Sequence, residues 1–287
     1  MLDLDIQKFF DSVPWELTLK AVAHHTDERW VRLYVERWLK APLQLEDGSV
    51  IERDRGTAQG SAISPLLANM FLHYAFDTWM TREHSGVTFE RYCDDIVVHA
   101  RSERHARHLR VVIAKRLAEC GLELNEQKTH IVYCKDEDRR GSYERTSFDF
   151  LGYTFRPRLS KSRFGKHFVN FSPAVSGEAK TRMRREMRRW RLYLRPGKTL
   201  TDLARMFNVV IQGWINYYGR FYKSMLYPVF RHLNGILVKW AMKKYKRLRY
   251  APRRARRLIA EVARRQPDLF AHWRFGVRPD GWTMGAG

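Results

Sequence analysis

The stretch Phe89 to Ala100, FERYCDDIVVHA, constrains this chain more than any other. Val97 and Val98 are β-branched and Tyr92 is aromatic, so both flanks favour a pleated surface, and two adjacent carboxylates, Asp94 and Asp95, sit between them. The stretch therefore predicts two short strands joined by a tight acidic turn, since Asp bonds local backbone and tolerates turn dihedrals. A third acid lies near the start. In MLDLDI, Leu2, Leu4 and Ile6 occupy one face of a strand and Asp3 and Asp5 the other. Laid beside the acidic hairpin, such a strand gathers three carboxylates in one place. Like charges packed so closely repel, and a divalent cation with oxygen ligands relieves the repulsion. Two Mg²⁺ ions roughly 3.5–4 Å apart are a standard arrangement for in-line phosphoryl displacement.

Between the acidic pieces runs GTAQGSAISPLLANMFLHY, Gly56 to Tyr74. Gly56 and Gly60 allow close backbone approach, and Ser64-Pro65 marks a helix start. Leu66, Leu67, Met70, Phe71 and Tyr74 then recur at helical spacing. Upstream, Pro14 to Leu39 reads as one or two helices with apolar stripes at Trp15, Leu19 and Val22 and at Trp30, Leu33, Tyr34 and Trp38. Residues 41–55 read as a hairpin turning at Asp47-Gly48. Glu103 to Gly121 is an amphipathic helix with Ser102 as N-cap and Leu109, Val112, Ile113 and Leu117 on its buried face. Leu122 to Tyr133 is a turn and strand, and Phe148 to Arg156 begins another hairpin. This order predicts an α+β fold, an antiparallel sheet with helices against one face.

DIQKFFDSV, GTAQGSAISPLLANMFLH and RYCDDIVV, in that order, resemble the successive palm motifs of reverse transcriptases, in the form found in the lineage encoded by bacterial group II introns. The resemblance implies a polymerase palm followed by a helical thumb, catalysing RNA-directed DNA synthesis with two Mg²⁺ ions (Mn²⁺ as a substitute). Asp5, Asp94 and Asp95 match the metal-binding acids. Phe9 or Phe10 matches the aromatic beneath the incoming sugar, with Phe9 favoured. Gln59 and Gly60 match the nucleotide-pocket motif, and Pro65 and Asn69 shape its helix. In LNEQKT, Asn125 and Lys128 match an Asn…Lys element whose lysine faces the triphosphate. Tyr92 adjoins the acids on the primer side, and Phe150, Leu151 and Gly152 match the turn that supports the primer's 3′ end.

The formal charge of +22 is unevenly spread: residues 1–149 hold 21 Lys and Arg against 25 Asp and Glu, whereas residues 150–287 hold 32 against 6. An acidic part followed by a strongly basic part is the footprint of a polyanion binder. A basic hairpin, LSKSRFGKHFVNFS, leads into helices. Lys180 to Leu194 is rich in arginine, and Arg182, Arg185 and Arg189, with Lys243 and Arg247 further on, are the expected primer–template contacts. Between Arg231 and Ala260 no acid occurs, and like charges at helical spacing are unfavourable without a polyanion. Thr201 is the expected cap of a helix whose stripe runs Leu203, Phe207, Val210, Trp214, Tyr217, Tyr218 and Phe221, read as bundle core. A third helix is expected from Tyr227 to Arg247. VVIQGWINYYGRFY resembles the maturase region of group II intron proteins.

The domains expected are a reverse transcriptase palm over 1–158, a helical thumb/maturase domain over 159–265 and a truncated tail over 266–287. The family carries a fingers region ahead of the first catalytic strand. The resemblance therefore also admits a non-catalytic RNA-binding remnant or half of a split enzyme, with fingers supplied in trans or by a homodimer. A retron or defence reverse transcriptase fits less well, given the maturase-like run. The implied partners are intron RNA, an RNA template with a DNA primer, and deoxynucleoside triphosphates. The expected setting is the bacterial cytoplasm, bound to nucleic acid. No run approaches the 18 apolar residues of a membrane span, and Cys93, Cys120 and Cys134 lack the spacing of a metal or disulfide framework.

Overall fold

The computed structural model describes residues 1–44, 47–58 and 60–279. They form two compact units, the first made of Met1–Cys134 with Gly141–Thr146, the second beginning at Ser147 and taking in Lys135–Arg140. In the first unit the strands are β1 (Leu2–Leu4), β2 (Leu43–Gln44), β3 (Val50–Ile51), β4 (Phe89–Tyr92), β5 (Asp95–Val98) and β6 (His130–Ile131). Four of them make an antiparallel sheet in the order β4-β5-β1-β6. The register Leu2↔Val98 and Leu4↔Ile96 stacks the apolar positions of β1 and β5 on one face. That face buries Leu2, Leu4, Ile96 and Val98 against Leu109, Ile113 and Leu117 of the helix Glu103–Glu119. As the sequence predicts, Ser102 caps this helix, its hydroxyl accepting from the His105 amide at 3.1 Å, and Gly121 (φ +73) follows its end.

The helix that starts at Ser64, with Pro65 in its first turn, is an α-helix to Leu72, then a π-turn over His73–Asp77, then α again over Thr78–Glu83. A π-turn widens the helix and turns out a carbonyl; here the Ala75 carbonyl accepts from Arg116 Nε at 3.0 Å. Pro14 to Leu39 resolves into the helices Trp15–His25 and Arg29–Lys40. The second of these corrects an expectation. Val31, Val35 and Leu39, spaced i, i+4, i+8, pack near Val22 and Leu67, so the neighbouring face is left outside and Trp30 is 63% exposed. Leu33, Tyr34 and Trp38 are exposed with it. A helix packed along one side can bury one stripe, and the aliphatic one won it.

In the second unit β7 (Phe148–Phe150), β8 (Tyr153–Lys161) and β9 (His167–Val175) form one antiparallel sheet. Residue 158, where the sequence reading divides the chain, lies inside β8. Four long helices follow: Gly177–Arg189, Leu200–Tyr218, Tyr227–Lys244 and Pro252–Arg265. The cap of the second is Thr199, not Thr201. Thr199 has an acid three residues on, so its hydroxyl accepts from the Asp202 amide at 3.1 Å while its own amide donates to Asp202 Oδ2 at 2.9 Å. The third helix stops at Lys244 rather than Arg247, because Tyr245 is extended, and Pro252 then opens a separate helix. Trp190 stacks on Phe207 and Trp214, with centroids 4.4 and 5.6 Å away, so that part of the aromatic stripe is core. Val210, Tyr217 and Phe221 are exposed. No helix among the described residues is long and apolar enough to cross a membrane.

Buried beside Phe230, His272 donates from Nε2 to Asn234 Oδ1 at 2.8 Å, and the same oxygen accepts from Trp273 Nε1 at 2.9 Å. Its Nδ1 is buried without a partner, and burial pushes the imidazole pKa down to about 3. The unfolded chain therefore takes up this proton first. The stability contributed is complete above the ordinary value near 6.5 and is lost as pH falls toward 3. We expect this group alone to remove roughly 1.5 kcal/mol between pH 6.5 and 5. Urea unfolding of the wild type and His272→Gln at both pH values checks it: the variant should lose that part of the slope.

Candidate active site

Asp5 directly follows β1, and the β1–β5 register carried one residue beyond Leu4↔Ile96 sets it across from Asp95. Asp94 stands on the two-residue turn Cys93-Asp94, closed by the pair Tyr92↔Asp95, and Cys93 takes φ 58 to make that turn. Burial, then the negative charges of Asp94 and Asp5, hold the Asp95 carboxyl above its ordinary pKa, while Lys128 pulls it back. The charges of Asp94 and Asp5 thus both bear on Asp95.

Asp5 and Asp94 line a cleft of about 700 Å³ together with Lys8, Phe10, Asn125 and Lys128. The lysine is there because Asn125 turns the chain. Its side-chain oxygen accepts from the amides of Gln127 and Lys128 at 3.1 and 3.3 Å, and its own amide donates to the Asp5 carbonyl at 2.8 Å. That stitching brings Lys128 Nζ to 3.6 Å from Asp5 Oδ1.

The two phenylalanines part company. Lys8, in the left-handed region at φ 43, starts the short helix Phe9–Ser12. Phe9 is 2% exposed and belongs to the core, whereas Phe10 is half-buried and packs against it. Both residues line the cleft, and Phe10 is the more exposed of the two. Phe10 is fixed from behind: its carbonyl accepts from the Thr57 amide at 2.7 Å, and Gly56 lies so close that a Cβ would stand 2.7 Å from the Asp11 carbonyl oxygen.

Gln59 lies outside the described residues. Gly60 (φ +89) is open around its α-carbon and is not among the described residues lining the cleft. Tyr92 is exposed beside the acidic turn. Phe150, Leu151 and Gly152 stand in the second unit, where Leu151 (φ 51) and Gly152 (φ 77) make the β7–β8 turn and Tyr217 Oη donates to the Leu151 carbonyl at 2.9 Å. Burial raises the Tyr218 hydroxyl pKa and Arg182 pulls it back. Arg185, Arg189, Lys243 and Arg247 are exposed, and Arg189 lies 3.6 Å from Glu186.

Sequence reasoning missed Arg91. Its guanidinium meets Asp77 in a two-pronged pair at 2.6 and 2.5 Å, with the Arg91 side chain 11% and the Asp77 side chain 21% exposed. Its third nitrogen donates to Asn69 Oδ1 at 2.9 Å and to the Cys93 carbonyl at 3.0 Å. One arginine thereby ties the acidic turn to the helix, and the π-turn supplies the acid. An arginine placed immediately ahead of Tyr-Cys-Asp-Asp, with an acid inside an otherwise apolar helix, was the available signal.

The donor set is all carboxylate, which suits a hard divalent cation such as Mg²⁺ or Mn²⁺. Among the described residues no three of His, Cys, Asp or Glu stand close enough to form a finished metal cage.

An antiparallel sheet whose central strand and neighbouring hairpin present acids over an open cleft defines the palm class of polymerase folds. Residues 1–155 match the family described as reverse transcriptase (RNA-dependent DNA polymerase), and residues 180–259 match the group II intron, maturase-specific domain. The chain belongs to the reverse transcriptase family, as a group II intron reverse transcriptase/maturase. Reverse transcriptases as a family work with divalent metals. No curated protein matches the chain. Among solved structures, telomerase from Candida albicans in complex with the TWJ fragment of telomeric RNA is 12% identical, with 100% of this chain and 49% of that chain covered and a TM-score of 0.43. Apo telomerase from Candida tropicalis is 9% identical, covering 96% and 52%, with a TM-score of 0.45. A form of it truncated from the C-terminal domain is 12% identical, covering 54% and 33%, with a TM-score of 0.43. The chain thus spans a third to about half the length of these proteins, and likenesses this distant carry no argument about its activity.

Proposed function

We propose that this chain extends a DNA primer along an RNA template, joining deoxynucleoside triphosphates by two-metal nucleotidyl transfer, and that its basic second unit binds intron RNA. The observation that carries this reading is the placement of Asp5 across from the acidic turn of Asp94 and Asp95, with Asp5 and Asp94 lining one cleft and Lys128 Nζ 3.6 Å from Asp5 Oδ1. The three acids would hold Mg²⁺, which when bound supplies a Lewis acid for the attacking hydroxyl and the triphosphate. The chain's own residues do the rest by position and charge. Lys128 offers a cation to the triphosphate, and Asn125 fixes where it stands. Phe10 presents a ring edge to the sugar, where a ribose 2′-hydroxyl would collide. Phe150 to Gly152 support the primer end.

Primer extension on an RNA template with Mg²⁺ and deoxynucleotides tests the reading. A chain that binds template and primer yet adds nothing, at any Mg²⁺ or Mn²⁺ concentration, would refute it. Phe10 gives a sharper check. Phe10→Val is expected to relax discrimination against ribonucleotides by about one to two orders of magnitude, the scale of a single close pocket contact. Phe9→Ala should instead cost about 3–5 kcal/mol of stability through the cavity left in the core, with selectivity unchanged. Relative kcat/KM for the two sugar types, set beside melting temperatures, separates these outcomes.

A further inference from the structure

The two-residue turn between β7 and β8 contains a residue that does not favour it. Leu151 (φ 51) and Gly152 (φ 77) are both left-handed, a form that Asn-Gly or Gly-Gly fills readily. Glycine takes such angles freely, but a leucine there crowds its Cβ against backbone and persists only where the surroundings over-determine it.

Those surroundings are the end of the helix Leu200–Tyr218 and the cap of Gly177–Arg189. Tyr217 Oη donates to the Leu151 carbonyl at 2.9 Å, and the Ser176 amide donates to the Gly152 carbonyl at 2.9 Å. Both carbonyls of the turn are thereby answered. Tyr218 closes a third side: a Cβ on Gly152 would stand 2.7 Å from its hydroxyl oxygen. The grip is mutual. Tyr153, directly after the turn, hydrogen-bonds through its hydroxyl to the Tyr217 carbonyl, one of the last-turn carbonyls that a helix cannot answer from within. Its ring packs against those of Tyr217, Tyr218 and Phe221, with centroids 5.5, 5.4 and 5.8 Å away. Tyr217 itself stays 48% exposed. A hydroxyl that open to water contributes modestly to folding when it bonds a carbonyl; what this one fixes is where the turn stands.

We propose that Tyr217 is a positioning residue for primer extension: its hydroxyl holds the Leu151-Gly152 turn in the setting that steadies the primer's 3′ end. The inference rests on the reading given above, in which Phe150 to Gly152 support that end, and adds the group that holds them. Tyr217 acts through the Leu151 backbone rather than on primer or nucleotide. Without its hydroxyl, nucleotide still binds, but the 3′-hydroxyl strays from the line of attack. A misplacement of about 1 Å is enough to slow such a step by up to about a hundred-fold. Tyr222 supplies a matched comparison. Its hydroxyl donates to the Leu159 carbonyl at 3.1 Å, so it also ties the chain after this helix to β8, but far along the strand from the turn.

Single-turnover extension of a DNA primer on an RNA template by the full chain tests the proposal. Tyr217→Phe should lower the maximal rate about ten-fold, with the half-saturating nucleotide concentration within about two-fold and the melting temperature within about 2 °C of wild type. Tyr222→Phe should leave all three near wild type, within the same margins. On a primer with a mismatched 3′ end, already displaced from the line of attack, the deficit of Tyr217→Phe should shrink to about two-fold. An unchanged rate in Tyr217→Phe, equal losses in the two variants, a fall in melting temperature that tracks the rate, or a loss carried by nucleotide affinity would overturn the role of Tyr217 and leave the turn's own role standing. Gly152→Ala disturbs the turn directly, since its Cβ meets Tyr218 and its φ is left-handed. Full activity in that variant would overturn the support of the primer end by this turn, and the proposal with it. A wild-type chain that extends no primer would overturn the wider reading beneath both.

Discussion

Replacing Asp94 and Asp95 together by Asn is expected to abolish primer extension, by about three orders of magnitude or more. The amide keeps the shape of the side chain but removes two negative charges from the acidic turn, where Asp94 and Asp5 both bear on Asp95. A divalent ion held by oxygen donors then loses most of its attraction, and with it several kcal/mol of transition-state stabilisation. The turn carries little core, so the melting temperature should hold or rise slightly as repulsion is relieved. Asp5→Asn should do similar damage and should also free Lys128, whose ammonium now lies 3.6 Å from Asp5 Oδ1. Single-turnover extension and thermal melts of the three chains suffice. An Asp94→Asn/Asp95→Asn chain that retains more than a tenth of wild-type turnover would sink the assignment of these acids.

The second large effect belongs to Arg91. Arg91→Met leaves the Asp77 carboxylate, whose side chain is 21% exposed, facing the His73 imidazole at 3.6 Å in place of a two-pronged guanidinium. Losing one partner of a buried pair costs about 3–5 kcal/mol, and the melting transition of the first unit should fall by about 10 °C. The double variant Arg91→Met/Asp77→Leu removes both charges, and buried pairs replaced by apolar groups often recover their stability. It still leaves the Cys93 carbonyl and Asn69 Oδ1 without the donor they now share. Stability should therefore return in the double variant while extension stays low, with the loss in kcat rather than in KM for nucleotide. Recovery of both together would mean that Arg91 matters only for folding and does not set the acidic turn.

Much of this protein was legible because the signals are local. The acidic hairpin, the alternation of Leu and Asp in β1, the Ser102 cap, the Asp47-Gly48 turn and the Pro65 helix start each follow from dihedral preference or side-chain period within a few residues. The resemblance in motif order extended that reading to the family. Failures came where the answer depended on distant chain. Thr199 and Thr201 look alike as caps until the acid three residues on is weighed, and that much was in the sequence. Whether Phe9 or Phe10 would be the more deeply covered was not, because adjacent residues on a short helix differ only in which one the core covers.

The same reason governs the rest. Sequence by itself determined most of the strands and helices and the split between an acidic and a basic part, since backbone torsions and hydrophobic period are properties of neighbouring residues. Only the tertiary structure decided that Val31, Val35 and Leu39 would be buried in place of Trp30 and Trp38. It also joined Arg91 to Asp77 across a π-turn, and buried Arg158 where its charge reaches Lys180. Burial and ion pairing are set by which surfaces the whole chain brings together, and a charge acquires its energetic meaning only when the solvent around it has been removed.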